Sequence, residues 1–141
     1  MTSVKSWGNY PDLPQSSFPV LWQDSLQATQ ALAMDTQGHT LAIGQARSYG
    51  DSCLAVSDRV LEMRPLRRFV SADWETGQII AEAGVTLEEL LRVCLPRGWF
   101  VPVTPGTRFA TLGGCVANDV HGKNHHMRGT FGHHVLSFGL H

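Results

Sequence analysis

Charge of either sign is scarce in this sequence. Only 16% of its residues are charged, and 11 Lys and Arg against 12 Asp and Glu leave a formal net charge of −1. No basic field for nucleic acid or an anionic membrane results, so no nucleic-acid partner is expected. No apolar run is long enough for a transmembrane segment, and Met1 to Tyr10 lacks the basic-then-apolar order of a signal peptide. Cysteine is sparse and odd in number, with Cys53, Cys94 and Cys115 showing no paired spacing. That argues against a disulfide framework and points to a reducing compartment, with cytoplasmic location as the expectation and membrane association left open. Internal repeats and low-complexity segments are absent. The 43% hydrophobic fraction over 141 residues suits a folded protein of one domain.

Glycine is what the chain has, concentrated in two segments. The first runs from Gly44 through Gln45, Ala46, Arg47, Ser48, Tyr49, Gly50 and Asp51 to Ser52. The second opens with Thr104-Pro105-Gly106-Thr107 and continues from Thr111-Leu112-Gly113-Gly114 through Asn118-Asp119-Val120-His121-Gly122-Lys123-Asn124. Each joins residues whose backbone N–H groups can approach an anion to hydroxyls able to bond phosphate oxygens. Two such loops suggest a clamp on the pyrophosphate of a nucleotide. Neither is a Rossmann fingerprint, since no third glycine is suitably spaced after Gly44 and Gly50 and no helical pattern follows. Neither is a P-loop, which ends in Gly-Lys-Ser/Thr. For the first segment, an ordinary strand-to-turn connection with Asp51 bonding its own backbone is an equal reading. For the second, a polar cluster directly after apolar Cys115-Val116-Ala117 favours a pocket wall over a surface loop with incidental histidines.

Around these segments the pattern is mixed α+β. The apolar run Pro19–Trp22 precedes Asp24, a plausible N-cap for a helix over Ser25–Met34 that ends near Gly38. Thr40–Ile43 and Val60–Met63 read as short strands, and Phe69–Asp73 with Gln78–Ala83 as a hairpin around Trp74–Gly77. Thr86 and Glu89 form a capping box for a second helix, Thr86–Leu95, with Leu87, Leu90, Leu91 and Cys94 on one face. Trp99–Val103 reads as a strand feeding the second glycine segment. Val135–Phe138 resembles a strand just beginning, so the chain is expected to be the N-terminal part of something longer. Six histidines (His121, His125, His126, His133, His134 and His141) cluster near the end, but their spacing fits no zinc motif, and no metal is expected.

Three segments together carry a resemblance: Ala46-Arg47-Ser48-Tyr49-Gly50-Asp51, Val101–Arg108, and His121-Gly122-Lys123-Asn124-His125-His126 with Phe131–Val135. With the opening Trp7-Gly8, they resemble the FAD-binding, PCMH-type domain of the vanillyl-alcohol-oxidase-like flavoprotein superfamily. Within it, the decaprenylphosphoryl-β-D-ribose 2′-oxidase family is most similar. The resemblance spans nearly all of residues 1–141 but only the N-terminal part of such an enzyme, without the substrate domain. It implies FAD with its pyrophosphate between the two loops. Contacts would come from Ala42, Ile43 and Gly44 to Ser52, and from Gly106, Thr107, Thr111, Leu112, Gly113 and Gly114. Asn118, Asp119, Val120 and His121 would run beside the ribityl chain and flavin ring, with His121 and Lys123 on the catalytic, substrate side. The implied reaction oxidises a carbohydrate alcohol, free or lipid-linked, by hydride transfer to flavin N5, with a partner such as a reductase reoxidising the flavin. Some superfamily members attach flavin to a histidine where Arg47 stands, so here FAD is expected to be non-covalent. Lys123 would stabilise negative charge on the reduced ring or attract an anionic substrate, and His121 would hydrogen-bond the cofactor rather than act as a base.

Alternatives stay open at this level. An aldonolactone, alditol or 2-hydroxy-acid oxidase would share the fold, and a non-catalytic flavin-binding module would share the loops. A histidine metal protein is a third class. The segment alone is not expected to turn over substrate.

Overall fold

The computed structural model describes residues 4–34, 37 and 39–140, in two compact units, Met1–Arg67 and Arg68–His141. The expected end of the first helix at Gly38, and His141, lie outside the described residues.

The first unit is built on a three-stranded parallel sheet. Strands β1 (Ser16–Pro19), β2 (Leu41–Ile43) and β3 (Arg59–Glu62) lie in the order β1-β3-β2. The central strand pairs Phe18 with Leu61 on one side and Leu41 with Val60 on the other. Because successive side chains alternate across a strand, Val60 and Leu61 point to opposite faces. Val60 packs with Ile43, Cys53, Leu54 and Ala55, whereas Leu61 packs with Val20, Ala33 and Leu66. Both faces are therefore covered, as parallel sheets require. The expected strands at Thr40–Ile43 and Val60–Met63 are β2, one residue shorter at its start, and β3, shifted back by one residue.

Helix α1 (Leu26–Ala33) buries Ala33 on the Leu61 face. Its expected N-cap, Asp24, does not cap it. A single 3-10 turn, Gln23–Ser25, precedes the helix, and the Ser25 hydroxyl closes that turn by donating to the Trp22 carbonyl at 2.7 Å. Ser25 occupies the N-cap position instead, but its hydroxyl is turned back to Trp22 and makes no capping bond to the helix.

The second unit opens with the hairpin β4 (Phe69–Asp73) and β5 (Gln78–Ala81). Asp73 holds its turn by accepting from the Glu75 and Thr76 N–H groups and the Thr76 hydroxyl, and Gly77 takes a left-handed φ of +73°. Helix α2 (Leu87–Cys94) begins with the capping box read from the sequence. Thr86 Oγ1 accepts from the Glu89 N–H, and the Glu89 carboxylate accepts from the Thr86 N–H at 2.8 Å. Leu87, Leu90 and Cys94 then pack on Val101, Val103, Cys115 and Phe131.

Two strand expectations in this unit fail. Val101 and Val103 are buried, giving Trp99–Val103 the alternation of a strand, but the segment pairs with none among the described residues. Proline at 102 has no N–H to donate, and its carbonyl accepts from the Asn124 side chain at 3.1 Å instead. Residues 135–138 are likewise irregular, with Val135 ending a 3-10 turn, Phe131–His134. Two further short helices follow, α3 (Leu112–Ala117) inside the second glycine segment and α4 (His125–Arg128) directly after it. No described helix is long and apolar enough to cross a membrane.

Candidate functional site

In the first unit, β2 delivers the chain into the first glycine segment. Ala46 adopts φ +49° and Gly50 φ +59°, so the loop turns twice through left-handed backbone. For an alanine that conformation is uncommon, and such residues concentrate at ligand sites. The buried side chains of Ile43, Cys53, Leu54 and Ala55 anchor the loop at both ends. Trp7 braces it from outside: its N–H donates to the Ser48 carbonyl at 3.3 Å, and the Arg47 guanidinium lies 5.2 Å from its ring centre. Tyr49 is 79% exposed, its ring free for a ligand to cover.

The second unit gathers three of the other candidates, Gly106, His121 and Lys123, in one concavity of about 620 Å³. Thr104, Pro105 and Gly106 line it together with His121 to His125. Gly122 makes this possible, because a Cβ there would stand 2.5 Å from the Thr104 carbonyl oxygen. Asn124 fastens the same segment to Pro102, and His125 starts α4 with its N–H and Nδ1 both at the Gly122 carbonyl. The His121 and His125 rings meet edge to face at 5.5 Å. Lys123, with its three ammonium donors, therefore shares a wall with two imidazoles, and among the described residues no carboxylate lines the pocket. That donor set suits an anion.

Gly106, His121 and Lys123 are thus brought together. Thr107 is spent locally, its hydroxyl accepting from the Phe109 N–H. Thr111 to Gly114 face inward. Thr111 is 3% exposed and its hydroxyl caps α3 at the Gly114 N–H, while the Leu112 and Gly113 N–H groups donate to Val85 and Ala83. Gly113 approaches a backbone closely, as glycine pairs do, but the backbone is that of Ala83. Asn118 bonds the Gly114 carbonyl, and Val120 packs against the core. Asp119 accepts from the Gly132 N–H at 2.8 Å, and this bond chiefly holds its carboxyl below the usual range. Thr104, Pro105, Gly122, Asn124 and His125 also line the pocket. The sequence placed them in the second glycine segment and the histidine motif that follows it, without giving them a cofactor or catalytic role.

Burial pushes all three thiols up, Cys115 to about 12, so none is poised as a nucleophile. Among the described residues no group of three or more His, Cys, Asp or Glu side chains is placed to hold a metal ion.

Comparison with known proteins matches this architecture. The chain is 46% identical over 100 residues to the decaprenylphosphoryl-β-D-ribose oxidase of Mycolicibacterium smegmatis, covering 71% of this chain and 22% of that protein. An uncharacterised protein in the mprA 5′ region of Streptomyces coelicolor is 52% identical over 56 residues, 40% of this chain and 15% of that one. Two structures of alkyldihydroxyacetonephosphate synthase superpose with TM-scores of 0.66 and 0.67 at 18% identity, covering 81% of this chain and 22% and 24% of theirs. They support the α+β, PCMH-type fold. This chain spans about a fifth of the length of the curated relatives. The model of the FAD binding domain family matches residues 22–140, most of the sequence, and the chain belongs to that family.

Proposed function

We propose that this chain forms the FAD-binding part of a flavin-dependent oxidoreductase acting on a carbohydrate CH–OH group, as the decaprenylphosphoryl-β-D-ribose oxidase relative suggests. The observation that carries the reading is the pocket in which the Gly106 turn faces His121 and Lys123, with no carboxylate lining it among the described residues. When bound, the flavin supplies the hydride-accepting chemistry at N5, and the protein supplies binding, orientation and charge.

The residues present fit such a group. Gly106 is exposed with nothing within 4 Å of a Cβ position, so its backbone is open to a ligand's anionic oxygens. Lys123 offers a fixed positive charge at the same wall, which would stabilise negative charge on a reduced ring or draw in an anionic substrate. His121 offers a ring nitrogen for hydrogen bonding. Ala42 to Ser52 are assigned to the cofactor by the family resemblance, with the left-handed turns at Ala46 and Gly50 shaping their backbone. Arg47 cannot form the covalent flavin bond that a histidine would, so the cofactor is held non-covalently.

An FAD titration followed by flavin absorbance after desalting tests the reading. Retained flavin, released entirely to the supernatant on acid precipitation, is the expected result. No retention by this chain or by a longer form of the protein would overturn it.

A further inference from the structure

Asp119 stands two residues before His121, in left-handed backbone with φ +42°. Only glycine, asparagine and aspartate visit that region at low cost. Its Oδ1 accepts from the Gly132 N–H at 2.8 Å, and the next carbonyl, Val120, accepts from the Phe131 N–H at 2.8 Å. Two adjacent rungs therefore join the segment entering the pocket to the Phe131–His134 turn.

That turn is itself fixed. Phe131 is buried against the α2 core, and Thr130 donates its N–H to His133 Nδ1 at 3.1 Å. The Thr130 hydroxyl lies 2.9 Å from the same nitrogen. Gly132 in the turn and Gly129 just before it are both moulded to these partners. A Cβ on Gly132 would stand 2.8 Å from Asp119 Oδ1, and one on Gly129 would stand 2.7 Å from His133 Nδ1. Asp119 lines no part of the pocket, yet its carboxylate is the last side-chain tether before His121.

We propose that Asp119 is a positioning residue, whose carboxylate grips the Gly132 N–H and so holds the His121–Lys123 segment at the pocket wall. Its consequence for cofactor binding rests on the flavin reading above; the tether itself does not.

Two variants of the full chain separate the possibilities. D119N keeps Oδ1 and tolerates the left-handed backbone, whereas D119G relaxes the backbone and removes the acceptor. Amide exchange and backbone resonances are measured without ligand, followed by an FAD titration. In D119G the Gly132 amide should exchange at least about tenfold faster and the His121–Lys123 resonances should move, with the Leu90 and Cys115 amides still protected. Its FAD dissociation constant should rise about tenfold, and that of D119N by no more than about threefold. The proposal is overturned if D119G leaves Gly132 exchange and the His121–Lys123 resonances unchanged. It is equally overturned if D119N disrupts as much as D119G, or if protection at Leu90 and Cys115 is lost as well. Should the unaltered protein take up no FAD, the flavin reading fails, and Gly132 exchange still decides the tether.

Discussion

Gly122→Ala is the substitution whose effect follows most directly from the geometry of the pocket. The new methyl would sit 2.5 Å from the Thr104 carbonyl oxygen, where ordinary contact begins at 3.4 Å, and 3.2 Å from Asn124 Oδ1. Gly122 is not among the residues with positive φ, so backbone strain does not contribute and the contact acts alone. A backbone carbonyl cannot rotate aside as a side-chain end can. The two lining segments must therefore part by nearly an ångström, a clash of the kind that costs about 1–3 kcal/mol. Misplacement on that scale also weakens binding and chemistry, by as much as about a hundredfold in rate. Gly106→Ala is the matched control. Its Cβ meets nothing within 4 Å, so stability should hold or rise by about 0.4–1 kcal/mol, while FAD approaching that backbone would be displaced. Urea unfolding and flavin titration on both variants make the comparison. Full stability and full FAD affinity in G122A would refute the close-approach argument, and full affinity in G106A would refute the placement of the cofactor.

Three further outcomes can be checked in solution. Cys115, fully buried with its thiol pushed up to about 12, should resist maleimide in the native protein at pH 8 and react only on unfolding; its burial favours folding below the unfolded value of 9.0, an advantage lost as pH rises towards 12. Glu82 is held below the usual carboxylate range first by its hydrogen bond from Arg68, so its contribution is present above about 4.5 and disappears as pH falls through the folded value; E82Q should lose less stability than the unaltered chain between pH 7 and pH 3, and an equal loss would remove Glu82 from the account. Gly77→Ala puts a methyl 2.5 Å from the Trp99 ring at φ +73°, which should lower stability by about 1–3 kcal/mol and shift tryptophan emission; unchanged emission would contradict the packing.

Where the determinants are local, the sequence carried them. The Thr86/Glu89 box and the apolar face behind it specify α2 from within nine residues, and Asp73 with Gly77 specifies the hairpin turn. Helix α3 was hidden because its first turn holds two glycines, poor helix formers; its start is secured by Thr111 and by carbonyls of Val85 and Ala83, which are tertiary partners. Trp99–Val103 has the burial of a strand without a neighbour to pair with, something alternation alone does not report. His121 and Lys123 could be singled out through family resemblance. Gly106 opposite them was named the same way, but the contact that closes the wall was not legible, since it depends on Gly122 meeting a carbonyl eighteen positions earlier.

The bridge between Thr86 and Thr111 has an electrostatic consequence. Both threonines are N-caps, so α2 and α3 start side by side and their positive dipole ends fall together. Helix α3 has no ionisable side chain except its cysteine, and the acids at this junction are Glu88 and Glu89 of the neighbouring helix. One acidic pair thus serves two helix starts, with Glu88 further tied to Arg92 and Arg108. Reversing the charge at Glu88 would accordingly be felt as fraying in residues 112–117, and added salt would soften the blow by screening the repulsion between the paired ends.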